Sequence, residues 1–188
     1  MNIKNKILNV LFVKFRILKF RMLSTLSKDG KPKCFQPLLL RGKGKIVFGN
    51  NVQIGVVNSN NFYNSYCFLD ARGKDSIIKI GNNVSINNNF YACALSSIII
   101  EDDTVIGYNC NILDNDGHYI HPKKRNEDLE LFAAVHIKSN VFIGSNVSLL
   151  KGVTIGKNCV IGNGSVVTKS FDDNLVIAGN PAKVIKQI

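Results

Sequence analysis

Ile137, Ile143, Leu149, Ile155, Ile161 and Val167 recur every six residues without a slip, and Gly144, Gly156 and Gly162 directly follow three of them. A period of six fits neither the 3.6-residue turn of an α-helix nor plain two-residue strand alternation. It predicts a parallel β-helix in which each hexapeptide forms one side of a triangular coil, with the aliphatic residue pointing into the prism. The glycine that follows is expected at or near the bend, where its tolerance of unusual φ/ψ suits it. The beat is broken once, over 114–136, and that break holds every histidine of the chain: His118, His121 and His136. A long loop in a compact solenoid is more often functional than idle.

A weaker form of the repeat extends upstream. The unit aliphatic-x-aliphatic-Gly-Asn-Asn-Val appears at Ile46–Val52 and again at Ile78–Val84, with variants at Ile98–Val105, Val135–Val141 and Val153–Val160. The steps between Phe48, Ile80, Ile100, Ile137 and Ile155 are 32, 20, 37 and 18 residues. Three hexapeptides make a coil, so the shorter steps are single coils and the longer ones carry insertions or irregular coils. Asn58–Ser65 lies in the first long step and reads as a loop or a degraded coil. The second long step holds the hydrophilic run Pro122–Asp128. The expected organisation is a basic N-terminal segment, 1–45, and a β-helix domain, 46–188, with an inserted loop at 114–136.

The charge is concentrated in the first of these parts. Residues 1–45 hold twelve Lys or Arg and a single acid, Asp29, which is the whole net charge of +11. The rest is neutral, so the basic balance describes an arm on a neutral body rather than a nucleic-acid-binding domain. The arm's apolar run is cut by Lys14, Arg16 and Lys19, which argues against a secretion signal or a membrane span. Leu8, Leu11, Phe12, Phe15, Leu18 and Met22 recur at helical spacing among basic residues. Such a helix over residues 1–23 is able to lie on an anionic membrane surface; the alternative is that it caps the end of the solenoid. The cysteines, Cys34, Cys67, Cys93, Cys110 and Cys159, have no metal-site spacing and read as reduced, buried residues, which suits the cytosol.

The C-terminal stretches Asn140–Ser145, Gly152–Gly156, Ile161–Lys169 and Ala178–Ile185 resemble the hexapeptide-repeat acyltransferases of the galactoside and xenobiotic acetyltransferase type. Ile112-Leu113-Asp114-x-Asp116-Gly117-His118 is similar to acetyltransferases of capsule and lipopolysaccharide gene clusters. The resemblance covers about 80–188 and implies a left-handed coil, a homotrimer with active sites between subunits, and acetyl-CoA as acyl donor with no metal. Neither the hand nor the trimer follows from the spacing.

Acetyl transfer to a hydroxyl needs a base near neutral pH, a donor for the developing oxyanion and a groove for the thiol arm. His118 matches the family's catalytic histidine, and an imidazole is the natural base. Asp114 and Asp116 are candidates to orient it, since in an extended segment both share a face with His118. The resemblance puts Gly144 and Ser145 N–H groups at the thioester as oxyanion donors. It runs Asn163 and Gly164 beside the pantetheine, and Thr168, Lys169, Lys183 and Lys186 at the adenosine phosphates. Tyr91, Cys93 and His121 are candidate acceptor contacts. Cys93 replaces an Asn of the galactoside enzymes, which argues against a simple galactoside, and Phe142 stands where the family often has Trp. No residue reads as an activated nucleophile, so direct transfer is expected.

The function expected is therefore O-acetylation of a sugar or surface-polysaccharide precursor, in the cytoplasm or at the inner membrane face. N-acetylation of an amino-sugar nucleotide is the alternative. Two further readings are a γ-carbonic-anhydrase-like metal enzyme, for which three histidines suffice in number, and a non-catalytic β-helix module.

Overall fold

The computed structural model describes residues 10–127 and 131–188. Lys4 and Leu8 of the expected amphipathic pattern, and Asp128 of the hydrophilic run, lie outside the described residues. Wide helical turns at Val10–Lys14 lead into an α-helix, α1, at Phe15–Leu23. The strands then step round three faces. β1 (Lys33–Cys34), β2 (Leu38–Gly42) and β3 (Lys45–Phe48) occupy the first, second and third faces, and β4 (Gln53–Ile54), β5 (Cys67–Ala71) and β6 (Ile77–Ile80) repeat the circuit. So do β7 (Ser85–Ile86), β8 (Tyr91–Ala94) and β9 (Ser97–Ile100), then β10 (Val105–Ile106), β11 (Asn111–Leu113) and β12 (Val135–Ile137). β13 (Phe142–Ile143), β14 (Ser148–Leu149) and β15 (Thr154–Ile155) follow, then β16 (Val160–Ile161) and β17 (Val166–Val167). β18 (Leu175–Gly179) continues the first face, and β19 (Ala182–Gln187) pairs back on it antiparallel. Every other pairing between these strands is parallel, so each face is one flat stack of successive coils.

All six residues of the beat are fully buried, as are Val147, Val153 and Cys159, each four places after a beat residue. Each hexapeptide therefore sends two side chains inward, one from the strand and one from the corner. Cys110 and Cys159 are two of these corner fillers, and all five thiols are free.

The corners correct one expectation. Gly144, Gly156 and Gly162 are not the residues with unusual φ. At the third-to-first corner that role falls to Asn51, Asn83, Asp103, Asn140, Asn158 and Asn174, all at φ 56–62°. Asn tolerates the left-handed region better than most residues, and here its amide also bonds from coil to coil. Asn51 Nδ2 donates to Asn83 Oδ1 (3.1 Å), Asn140 to Asn158 (2.9 Å) and Asn158 to Asn174 (2.8 Å). Asn89, Asn109 and Asn146 form the same ladder at the first-to-second corner. The glycines answer a different need, the close approach of the next coil. A Cβ on Gly144 would lie 2.3 Å from Asn163 Oδ1, and one on Gly156 would lie 2.3 Å from the Asp172 carbonyl carbon.

The strands of the coil also begin earlier than the repeats suggest. β1 and β2 are already part of the coil, and Asp29 bridges to Val47 on the third face. Leu38, Leu39 and Leu40 are all buried, because α1 packs on β2 from outside while the prism takes the inner side. A strand covered on both sides loses its alternation, and that hid this coil. The long steps resolve as single coils with insertions: 55–66 lies between β4 and β5, and 114–134 between β11 and β12. The first insertion is pinned by the buried side chains of Gln36 and Asn88, which hydrogen-bond to Asn61, Ser65, Val56 and Asn60.

Candidate active site

His118 stands exposed on the 114–134 insertion, where the chain leaves the second face for the third. Its Nδ1 lies 2.9 Å from the Arg125 carbonyl oxygen. A carbonyl only accepts, so the ring carries its proton on Nδ1 and Nε2 keeps a free lone pair. This is the arrangement a general base requires, with a backbone oxygen doing the orienting.

Asp114 and Asp116 do not supply that orientation. The segment is not extended, since Gly117 takes φ +75° and swings His118 away. Asp114 is fully buried and accepts from the N–H groups of Leu95 (2.8 Å) and Ser96 (2.6 Å) and from Asn115 Nδ2 (3.0 Å). It fastens the turn between β8 and β9 to the root of the 114–134 insertion. Asp116 pairs with Lys151. His121 Nδ1 accepts from the Lys123 N–H (3.3 Å) and caps the short 3-10 turn Pro122–Lys124. His136 points out of the third face, as its position in β12 implies, and pairs with Glu101 at 2.7 Å. The three histidines thus have separate partners, and among the described residues no three His, Cys, Asp or Glu side chains gather into a metal site.

Asn115 is a contributor the sequence did not single out. Its amide reaches the Cys93 carbonyl (3.4 Å) and accepts from the Gly117 N–H (3.0 Å), joining β8 to the residue before His118. Nothing in an Asp-Asn-Asp-Gly run says which of its polar side chains turns inward. Tyr91 stacks on Phe68 with ring centroids 5.4 Å apart and lines a hollow of about 340 Å³ with Tyr66, Asn109 and Asn111. Burial first, then a hydrogen bond with Cys93, pushes the Tyr91 hydroxyl up to about 12, so it stays protonated. Burial also pushes the Cys93 thiol up, which leaves it a poor nucleophile.

The donor-side candidates line the first face. A groove of about 260 Å³ runs over Val105, Phe142, Gly144, Ser145 and Asn163, with Val56 of the first insertion at its rim. The two N–H groups expected to serve the oxyanion are already engaged. Gly144 N–H donates to the Ile161 carbonyl (2.8 Å), and Ser145 N–H donates to Asn163 Oδ1 (2.7 Å). Neither is free as an oxyanion donor here, because the inter-coil ladder and the Asn163 side chain take both. Gly164 N–H likewise donates to the Ser145 carbonyl. Further along the same sheet, Lys183 pairs with Ala178 and Lys186 with Val176, so both lie on the β18–β19 hairpin at the C-terminal end of the groove. Thr168 and Lys169 are exposed just after β17, with Lys169 over the Phe171 ring. A hollow of about 810 Å³ separates α1 from the first coil, beside Ile17, Arg21, Leu26 and Cys34. It contains none of the candidate catalytic groups.

Comparison with known proteins identifies the class. Residues 134–169 match the bacterial transferase hexapeptide (six repeats) family. The Escherichia coli K12 protein WbbJ, named for O-acetyl transfer in lipopolysaccharide biosynthesis, is 35% identical over 159 residues, which is 80% of this chain and 76% of its own length. The chain therefore belongs to the hexapeptide-repeat acetyltransferase family. A Dictyostelium discoideum protein named as an acetyltransferase is 41% identical over 116 residues, covering 59% of this chain and 61% of its own length. Among solved structures, a galactoside acetyltransferase in complex with coenzyme A superimposes with a TM-score of 0.60 at 32% identity, covering 74% of this chain and 64% of that one. The coil is the left-handed parallel β-helix of that family.

Proposed function

We propose that this chain is an acetyl-CoA-dependent O-acetyltransferase that acetylates a hydroxyl of a sugar or cell-surface glycan precursor, with His118 as general base. The observation that carries this reading is the His118 ring, proton-fixed at Nδ1 by the Arg125 carbonyl and open at Nε2. The acceptor hydroxyl gives its proton to Nε2 as its oxygen attacks the thioester carbonyl. The tetrahedral adduct collapses with loss of the coenzyme A sulfur, which takes the proton back from the imidazolium. The acetyl group ends as an ester, and no acyl-enzyme forms; the raised thiol of Cys93 agrees with that.

Acetyl-CoA fits the first-face groove, its pantetheine beside Asn163 and Gly164 and its phosphates toward Thr168, Lys169, Lys183 and Lys186. In one chain the groove and His118 lie at different corners of the coil. A homotrimer brings one subunit's groove to the next subunit's loop, so the working site lies between subunits. Tyr91, Cys93 and the loop around His121 form the acceptor side. The similarity to WbbJ favours a glycan hydroxyl over an amine, and a cytoplasmic compartment follows from the donor.

Product chemistry tests the reading. The protein is incubated with radiolabelled acetyl-CoA and a panel of glycans and amino-sugar nucleotides, and the products are treated with hydroxylamine. Label transferred to a glycan and released by hydroxylamine is an ester and supports O-acetylation. Label that resists release is an amide and moves the protein to the N-acetyltransferase branch.

A further inference from the structure

We propose that the outward face of the N-terminal helix is a docking surface for an anionic lipid bilayer. The turns at Val10–Lys14 together with α1 carry two apolar stripes, not one. Val13, Ile17 and Phe20 face the coil and are partly buried. On the same side Arg16 donates to the carbonyls of Phe62 (3.0 Å) and Ser65 (2.6 Å) and ties the helix to the 55–66 insertion. Leu11, Phe15, Leu18 and Met22, four, three and four residues apart, lie opposite and are 56, 65, 51 and 77% exposed. A helix that only capped the solenoid would need the first stripe alone and would turn polar residues outward.

Charge decides what covers the second stripe. Lys14, Lys19 and Arg21 flank it, and Lys28, Lys31, Lys33, Arg41, Lys43 and Lys45 stand exposed on the adjoining end of the coil. Asp29, the single acid there, is already paired with Lys45 at 3.0 Å. Apolar side chains that reach the acyl boundary, with cations at headgroup level, are the chemistry of an interfacial helix on anionic lipid. Another copy of the chain would bring the same positive charge to the contact. The helix would lie on the bilayer: among the described residues no helix is long and apolar enough to cross one.

The helix is also connected to the acceptor side, through its coil-facing stripe. Phe20 packs on Tyr66 (4.4 Å), Tyr66 neighbours Phe68 (6.4 Å), and Phe68 stacks on Tyr91 (5.4 Å). A bilayer-bound α1 thus brings the Tyr91 hollow near the lipid surface, where lipid-linked glycans present their hydroxyls. The docking stands without the acyl-transfer reading; only the nature of the acceptor rests on it.

Vesicle flotation of the full chain tests the proposal. Wild type should float with phosphatidylcholine vesicles containing phosphatidylglycerol, not with phosphatidylcholine alone, and less so as salt is added. The double variant Phe15→Asp, Met22→Asp should lose about tenfold or more in vesicle affinity while its thermal melt and acetyl-CoA binding stay as in wild type. Failure of the wild type to bind the anionic vesicles, or equal binding by the double variant, overturns the proposal. So does a double variant whose sedimentation mass falls while vesicle binding is unchanged, since the stripe would then be an interface between copies.

Discussion

Asp114 shows how a residue beside the proposed base can belong wholly to the scaffold. Its carboxylate takes two backbone N–H groups and one amide in a fully buried position. Replacing it with Ala leaves those buried donors unsatisfied, at a cost of about 3 kcal/mol. Asp114→Ala is therefore expected to lower the midpoint of chemical denaturation strongly. Asp116→Ala, which removes only a partly exposed ion pair with Lys151, is expected to change it by about 0.5 kcal/mol or less. Equal losses from the two would contradict this assignment. The sequence singles out His118 through its motif and its place in the broken beat. It could not reveal the Arg125 carbonyl, because a backbone oxygen leaves no mark on residue identity. Nor could it reveal that Ser145 N–H is taken by Asn163, since Asn163 is separated from it by a full coil.

At the scale of the element, the corners separate two needs that the repeated Gly-Asn-Asn-Val wording runs together. The Gly lets the next coil approach, and the second Asn takes the left-handed turn and bonds up and down the stack. Asn158, at φ 60°, donates to Asn174 and accepts from Asn140. Asn158→Gly keeps the turn and loses the ladder; Asn158→Ala loses both. The Ala variant is expected to be less stable than wild type by about 2 kcal/mol and the Gly variant by about 1 kcal/mol. Equal losses from the two in urea unfolding would show that the ladder, not the turn, dominates. The strands with a beat were readable because each inward position is repeated in register. β2 was not, because α1 covers the second face there and removes the alternation that marks a strand, and β1 is only two residues long.

At the scale of the molecule, the coil is a continuous apolar column that holds its thiols dry. Burial pushes Cys67 from 9.0 to about 12 and Cys110 from 9.0 to about 11. A thiol whose folded pKa is raised favours the folded state fully below its unfolded value. That contribution is lost as pH climbs from about 9.0 through the folded values. Stability measured by urea midpoint is expected to be level on this account below pH 9 and to fall above it. Over the same range Cys67 and Cys110 should resist a thiol reagent until the chain unfolds. Ready labelling of either in the native protein at neutral pH would contradict so dry a column. The overall architecture was legible from the six-residue period. The hand of the coil, the reach of the N-terminal helix and the fate of each loop side chain were not, because they depend on contacts between residues many positions apart.

The free Nε2 of His118 is the group proposed to drive acyl transfer. The most direct measurement is release of thiol from acetyl-CoA in the presence of a glycan acceptor with a free hydroxyl, comparing wild type with His118→Ala. kcat is expected to fall by about 10²–10⁴ while the thermal melt is unchanged, because the ring is exposed, and the Kd for acetyl-CoA changes little, because groove residues other than His118 hold the coenzyme. Turnover that survives in His118→Ala at a rate near wild type would contradict it.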